Sequence, residues 1–184
     1  MTRRLFVFEL PDRFATGTVG EPGQRTFFLQ ARDGGRVVSV SLEKTQVAVL
    51  AERLGRLLVE LDRVGVSPDP PTPTEPDDGP LDEPLNEAFR ATTLTLGWDG
   101  EAEQVLIEAR APTDGDEEAA IEIDDADEDG PDLLRVRLSA AAARAFVERA
   151  FRVIRAGRPP CPMCGQPLEA TGHICPRRNG SYVH

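Results

Sequence analysis

The chain has 184 residues, a formal net charge of −11 and three cysteines. This length is enough for one domain, or two small ones, with a buried core. No apolar run approaches the roughly 20 residues of a membrane span, and the N-terminus has no hydrophobic signal segment, so we expect no membrane contact. An odd number of cysteines argues against a secreted disulfide framework and favours a reducing, cytoplasmic setting.

Two segments hold most of the negative charge. Asp69 to Glu87 contains seven acidic residues and no basic one, and Asp114 to Asp132 contains eleven and none. Of the 32 acidic residues, 18 therefore lie in these segments, which leaves 14 against 21 basic residues elsewhere. The sequence thus predicts a basic body carrying two acidic loops that do not belong to the compact core.

The first part of the chain, residues 1–65, is predicted to form four strands followed by a helix. Alternating apolar residues indicate the strands, and Asp33-Gly34-Gly35 is typical of a tight hairpin turn. The helix is amphipathic, since its apolar residues recur at helical spacing. The strands are Arg4–Leu10, Thr16–Gly20, Phe27–Arg32 and Val37–Leu42, and the apolar helix face is Val47, Leu50, Leu54, Leu57, Leu58 and Leu61.

Residues 66–87 form an acidic, proline-rich linker, which we expect to be extended and mobile. Residues 88–158 then repeat three strands and a helix, and an acidic insertion at 112–131 separates the last two strands. Ser139 is a plausible N-cap for this second helix. The strands are Thr93–Gly97, Val105–Arg110 and Leu133–Leu138, and the apolar helix face is Ala143, Phe146, Val147, Ala150, Phe151 and Ile154.

The two parts resemble each other at separations of 77, 78 and then 96 residues. The last strand and the helix of each part align 96 residues apart. The leading strand of the first part, Arg4–Leu10, has no counterpart in this alignment. Neither amphipathic helix can bury its apolar face alone. We therefore predict an α+β fold, in which two similar antiparallel meander-plus-helix units form one pseudo-symmetric domain with a C-terminal zinc knuckle.

The tail, residues 159–184, holds all three cysteines and both histidines. Cys161-Pro-Met-Cys164-Gly165 is typical of a thiolate knuckle, and His173 and Cys175 supply a second ligand pair. The sequence predicts a structural zinc ion bound by Cys161, Cys164, His173 and Cys175. His184 is a possible replacement for His173, and three cysteines with a water would instead fit a catalytic zinc.

This tail, joined to the duplicated body, resembles an uncharacterised family of actinobacterial repeat proteins. The resemblance rests on the pattern Cys-Pro-x-Cys-Gly-x-Pro followed by Gly-His-x-Cys-Pro-Arg-x-Asn-Gly, and it covers nearly the whole chain. It implies the fold, a cytoplasmic setting and the tail's four ligands, but no reaction. Family members tend to be encoded near phosphomutase-like and lipid-kinase-like proteins, which implies a shared pathway by association.

These features favour a non-enzymatic, cytoplasmic, zinc-binding adaptor with a protein partner. One alternative is an RNA-binding accessory protein, whose phosphate contacts would come from Arg152, Arg155, Arg177 and Arg178. The acidic loops would then shield this basic surface. The other alternative is an enzyme with a carboxylate site between the two repeats, which a buried cluster of ionisable groups there would favour.

Overall fold

The structure is a computed structural model that describes residues 3–21, 23–66, 76–113, 130–156, 161–164 and 175. Within these residues the chain forms two helices and eight strands, so the predicted α+β class is confirmed. The elements are β1 (Leu5–Glu9), β2 (Arg13–Val19), β3 (Thr26–Asp33), β4 (Arg36–Leu42), α1 (Lys44–Arg63), β5 (Glu87–Arg90), β6 (Thr93–Asp99), β7 (Gln104–Arg110), β8 (Leu133–Leu138) and α2 (Ala140–Arg155).

The strands form two four-stranded sheets, each built from both halves of the chain. The first sheet has the order β2-β3-β4-β5, and the second has the order β1-β8-β7-β6. Each contains an antiparallel meander of three strands, and β5 and β1 are added parallel to β4 and β8. The prediction that only the first half has a leading strand is therefore wrong, because β5 leads the second half and each leading strand joins the other half's sheet.

One hydrophobic core joins the sheets and the helices. Alternate strand residues point into it, including Leu29 and Val40 in the first sheet and Ile107 and Val136 in the second. The helices pack against each other, and α2 also packs against β2 while α1 packs against β6. The rings of Phe14 on β2 and Phe146 on α2 stack with centroids 4.8 Å apart. The two halves thus share their core.

The strand register corrects the predicted alignment of the halves. Gly17 lies opposite Phe28 in the first sheet, and Gly97 lies opposite Leu106 in the second. With β3 and β7 aligned 78 residues apart, β2 and β6 therefore align 80 apart (17 with 97) and not 77. The predicted alignment is thus wrong by three residues. A shift by an odd number of residues assigns the core-facing side chains of a strand to its outer face. Common ancestry of the halves stays a prediction.

Part of the acidic linker lies against the body. Residues 76–86 run across the outer face of the first sheet, which is the face turned away from the core. The Asp82 N–H donates to Gln30 Oε1 at 2.7 Å, and Gln30 Nε2 donates to the Asp82 carbonyl at 2.9 Å. The expectation that neither acidic segment joins the compact structure is thus wrong for residues 76–86. Most of the predicted insertion, at 114–129, lies outside the described residues.

Local hydrogen bonds explain where several elements begin. The predicted N-cap of α2 is confirmed, because the Ala142 N–H donates to Ser139 Oγ at 3.2 Å. The glycine hairpin is also confirmed: β3 and β4 are joined by Gly34 and Gly35, and Gly34 has φ of 55°. Within the described residues, neither helix has both the length and the apolar character needed to cross a bilayer.

Candidate metal centre

The three cysteines converge although 14 residues separate the first from the last. The Sγ atoms of Cys161, Cys164 and Cys175 all lie within 4.8 Å of one another. Cys161 Sγ and Cys175 Sγ are 3.8 Å apart, too far for a disulfide, and all three cysteines are free. Ligands at about 2.3 Å from a tetrahedral zinc ion lie about 3.8 Å from each other. The spacing therefore fits metal thiolates.

The turn after Cys161 favours its thiolate form. Backbone N–H groups of Cys164 and then Met163 donate to the sulfur and lower the pKa of Cys161 to about 6. Metal binding requires a deprotonated sulfur, so this turn prepares the ligand at neutral pH. The cluster is also sheltered, because Cys161 and Cys175 are buried and Cys164 is half-buried. The residues present thus fit a metal site sheltered from solvent.

The fourth ligand stays a prediction. His173, and its possible replacement His184, lie outside the described residues, as does Gly165 of the knuckle. The described part of the chain therefore brings together three of the four predicted ligands. A closed structural site and an open catalytic site differ in this fourth position.

A buried arginine between the two halves was missed by the sequence interpretation. Arg149 on α2 is 6% exposed, although its place in a run of arginines indicates a solvated helix face. Its Nε donates to the Thr16 carbonyl at 2.6 Å, its Nη1 contacts Asp77, and its Nη2 donates to the Gly79 carbonyl at 2.8 Å. Burial lowers the pKa of Arg149, while the carboxylate of Asp77 counteracts this effect. The 76–86 segment is thus bound to both halves.

Arg13 on β2 completes this cluster. Its guanidinium donates to Asp77 Oδ2 at 2.7 Å and to Asp82 Oδ2 at 2.8 Å. Burial raises the pKa of Asp77, but the hydrogen bonds and charges of Arg13 and Arg149 outweigh it and hold this pKa below its usual range. A cluster of ionisable groups therefore lies between the halves, where the enzyme alternative expects one. Its carboxylates form hydrogen bonds and ion pairs with arginines.

The other predicted basic residues have local contacts. Arg152 forms an ion pair with Asp78, and Arg144 forms one with Asp62. Arg155 lies with its guanidinium carbon 5.7 Å from the Phe151 ring centroid. Arg177 and Arg178 lie outside the described residues. Much of the positive charge on α2 is thus compensated within the chain.

A buried carboxylate lies on the outer face of the second sheet. Glu108 is 4% exposed and accepts hydrogen bonds from Arg135 at 2.7 Å and Arg110 at 2.6 Å. Burial raises the pKa of Glu108, but these two arginines outweigh it, so the pKa lies below its usual range. Nearby, Arg137 donates to Asp99 at 2.9 Å. Glu108 is therefore held as a carboxylate.

Two open clefts lie side by side along β6. One, of about 270 Å³, separates α1 from β6 and is lined by Leu50, Arg53 and Leu94 among others. The other, of about 470 Å³, opens over Gly97 and is lined by Trp98 and Arg137 among others. The sequence interpretation did not identify either, because each depends on how the helix and strand are packed.

Comparison with known proteins places the whole body and the three cysteines in one family. Residues 6–175 match the model of a family described as a protein of unknown function, DUF3090. No curated protein and no solved structure matches the chain. The matched region begins at the second residue of β1 and ends at the last cysteine of the cluster, so it contains β2 to α2 in full and all three converging ligands. The chain belongs to the DUF3090 family, whose function is unknown.

Proposed function

We propose that this protein is a cytoplasmic, non-enzymatic adaptor whose C-terminal tail is ordered by a structural zinc ion. The observation that carries the proposal is the convergence of Cys161, Cys164 and Cys175, whose sulfurs lie within 4.8 Å of one another. Thiolate ligands in tetrahedral spacing are typical of structural zinc sites. We assign His173 as the fourth ligand on the sequence pattern, with His184 as its competitor.

A structural role agrees with the state of the carboxylates that arginines bind. A carboxylic acid that acts as a general acid near neutral pH needs a raised pKa. Asp77 and Glu108 instead have pKa values below their usual range, and each is bound by two arginines. These groups serve better as fixed ion pairs than as proton donors. The enzyme alternative therefore gains no support from them.

An adaptor role follows from what a bound metal would do for the tail. A structural zinc ion contributes on the order of 10 kcal/mol to ordering a small unit. A tail fixed in this way presents a defined surface next to the body without a core of its own. The RNA-binding alternative is less favoured, because Arg144 and Arg152 already have acidic partners.

The metal is tested by measuring the zinc content of the purified full-length chain. We expect stoichiometric zinc in the wild type, and its loss in Cys161→Ser and Cys164→Ser. Met163→Leu is the matched control, because this exposed residue lies between the two cysteines, and it should keep its zinc. His173→Ala should weaken zinc binding, whereas His184→Ala should not. Wild-type protein without zinc, or full zinc in Cys161→Ser, would contradict the proposal.

The adaptor role is tested by capture of partners from native cytoplasm. Wild type, the Cys161→Ser/Cys164→Ser variant and Met163→Leu are compared, and both proteins and RNA are identified. We expect a stoichiometric protein that is retained by Met163→Leu and lost with the cysteines. Salt-sensitive retention of RNA would support the alternative. Capture of the same proteins by the cysteine variant would contradict an adaptor that acts through the tail.

A further inference from the structure

The register of the two halves identifies equivalent grooves on opposite sides of the molecule. Helix α2 and strand β2 enclose one groove, and α1 and β6 enclose the other. Because α1 and α2 align 96 residues apart, Arg53 on α1 occupies the position of Arg149 on α2. Because β2 and β6 align 80 apart, Gly97 occupies the position of Gly17. Both arginines thus lie in the groove between a helix and the edge strand of a meander.

The first groove is filled by the chain's own acidic segment. Arg149 there contacts the Asp77 carboxylate at 3.0 Å and donates to the carbonyls of Asp77 and Gly79. Four residues after Asp77, the Leu81 side chain covers Gly17, so that a Cβ added to Gly17 would lie 2.7 Å from Leu81 Cγ. The acidic segment is therefore held by Arg149 and by the space over Gly17, in addition to its ion pairs with Arg13 and Arg152.

The equivalent groove is open. Where Phe14 and Phe146 stack in the first groove, the second has Leu94 and Leu50, and these smaller side chains help to open the cleft of about 270 Å³. Arg53 lines this cleft, is exposed, and makes no hydrogen bond or ion pair to any residue that the structure describes. Thr45 and Thr95 lie on the same walls. This cleft thus combines apolar walls, hydroxyl groups and an available cation.

The space over Gly97 is open as well. A Cβ added there would be 3.8 Å from Leu106 Cβ, an ordinary contact, and the cleft above it has a volume of about 470 Å³. No described residue covers Gly97 as Leu81 covers Gly17. Two recognition features of the first groove, the arginine and the space over a glycine, therefore recur in the second, where none of the described residues occupies them.

We propose that the α1–β6 groove and the adjoining Gly97 cleft bind an extended acidic segment of a partner protein. Arg53 binds a carboxylate of that segment, and the Gly97 cleft takes an apolar side chain about four residues further on. Two observations indicate that the partner's segment is acidic. Arg53 is positively charged, and the equivalent groove binds the chain's own acidic 76–86 segment. The inference rests on the proposed adaptor function and supplies the class of its partner, at a site separate from the cysteines.

A peptide with the sequence of residues 76–86 is a suitable probe, since it carries both features. Trp98 is the single tryptophan of the chain and lines the Gly97 cleft, so its fluorescence reports binding. We expect saturable binding to the full chain, which Arg53→Ala weakens about tenfold or more. Gly97→Leu should fill the second cleft and weaken binding similarly. Arg63→Ala, an exposed arginine at the end of the same helix that lies outside the α1–β6 cleft, is the matched control.

The results separate this inference from the adaptor proposal. The Cys161→Ser/Cys164→Ser variant should still bind the peptide, because the groove lies in the body. A peptide with both Asp77 and Asp78 replaced by asparagine should not bind. Absence of binding to wild type, equal binding by Arg53→Ala and wild type, or self-association of the chain through Arg53 would each overturn the inference. Loss of zinc or of captured partners would bear on the adaptor proposal alone.

Discussion

The guanidinium of Arg149 is enclosed by groups from two parts of the chain outside its own helix. It contacts a carbonyl of β2, a carboxylate in the 76–86 segment and two carbonyls of that segment. Such a side chain lies at a sequence position that looks solvated, because its neighbours Arg144, Arg152 and Arg155 are also charged. Helical periodicity identifies the apolar face of α2, but it does not show that an arginine at the edge of that face is covered by a distant segment.

We expect Arg149→Ala to lower the free energy of unfolding by about 3 kcal/mol. The substitution leaves the Thr16 and Gly79 carbonyls without the donors of Arg149 and removes one of the two arginines that bind Asp77, and the loss of donors to enclosed acceptors is costly. Urea denaturation measures the change. Arg155→Ala on the exposed end of the same helix is the control and should change stability by about 0.5 kcal/mol or less. Similar midpoints for the two variants would contradict the structural role of Arg149.

The cysteines show how much of the candidate metal site can be predicted from residue spacing alone. Two cysteines separated by two residues, with a glycine after them, predict a knuckle because a tight turn aims both sulfurs at one point. The structure confirms that Cys161, Cys164 and Cys175 converge. The fourth position could not be settled from spacing, since His173 is separated from Cys175 by one residue and His184 is also available. Which ring reaches the sulfurs depends on the path of the tail.

Among the elements, long amphipathic ones were predictable and short ones were not. Helix α2 was predicted to begin at the N-cap Ser139 and lies at Ala140–Arg155, because Phe146 and Ala150 recur at helical spacing and Ser139 caps the first turn. Strand β5 was missed because it has four residues, of which Phe89 alone is buried. So short a strand carries too little alternation to be recognised, and its pairing with β4 stabilises it.

Ser139 provides a test of the start of α2. Ser139→Ala removes the acceptor of the Ala142 N–H, and we expect a loss of about 1 kcal/mol in the free energy of unfolding. Ser139→Asp is the control, since its carboxylate can accept the same hydrogen bond and should restore most of the stability. Thermal and urea unfolding of both variants measure the effect. If the alanine and aspartate variants were equally destabilised, the cap would not explain where the helix begins.

At the scale of the whole molecule, ion pairs should determine how stability depends on pH. The pKa values of Asp77, Glu108 and Asp132 all lie below their usual range in the folded chain. For each, burial raises the pKa, while arginine partners lower it by more. Such groups stabilise the fold at pH values above their unfolded pKa, which is about 4. Their contribution is lost as the pH falls through the lower, folded pKa.

We therefore expect the urea midpoint to be level between about pH 7 and pH 5 and to fall below about pH 4. Glu108→Gln should lower the midpoint at pH 7 and make the acid-side fall shallower, because one of the shifted groups is gone. Glu52→Gln, an exposed position on α1, is the control and should reproduce the wild-type curve. An acid-side fall of unchanged steepness in Glu108→Gln would show that this carboxylate does not contribute.

The fold class was within reach of the sequence, but the arrangement of the sheets was not. The alternation of apolar residues in Leu5–Glu9 identifies a strand, but it does not identify the strand with which it pairs. The same side chains would face the core whether this strand paired with β2 or with β8. The pairing of Phe8 with Val136 is decided by the shared core, which forms when both halves are present. For the same reason the open α1–β6 groove could not be predicted, since it depends on the packing of one half against the other.

The exchange of the leading strands has a consequence for synthesis of the chain. Strand β1 leaves the ribosome 128 residues ahead of its partner β8, since Leu5 pairs with Leu133. While the residues between them are made, β1 has no β8 to pair with, and the second sheet closes after the acidic insertion has been made. We expect the newborn first half to expose an unpaired apolar strand that associates readily with other chains. Chaperone contact should then persist until β8 has emerged.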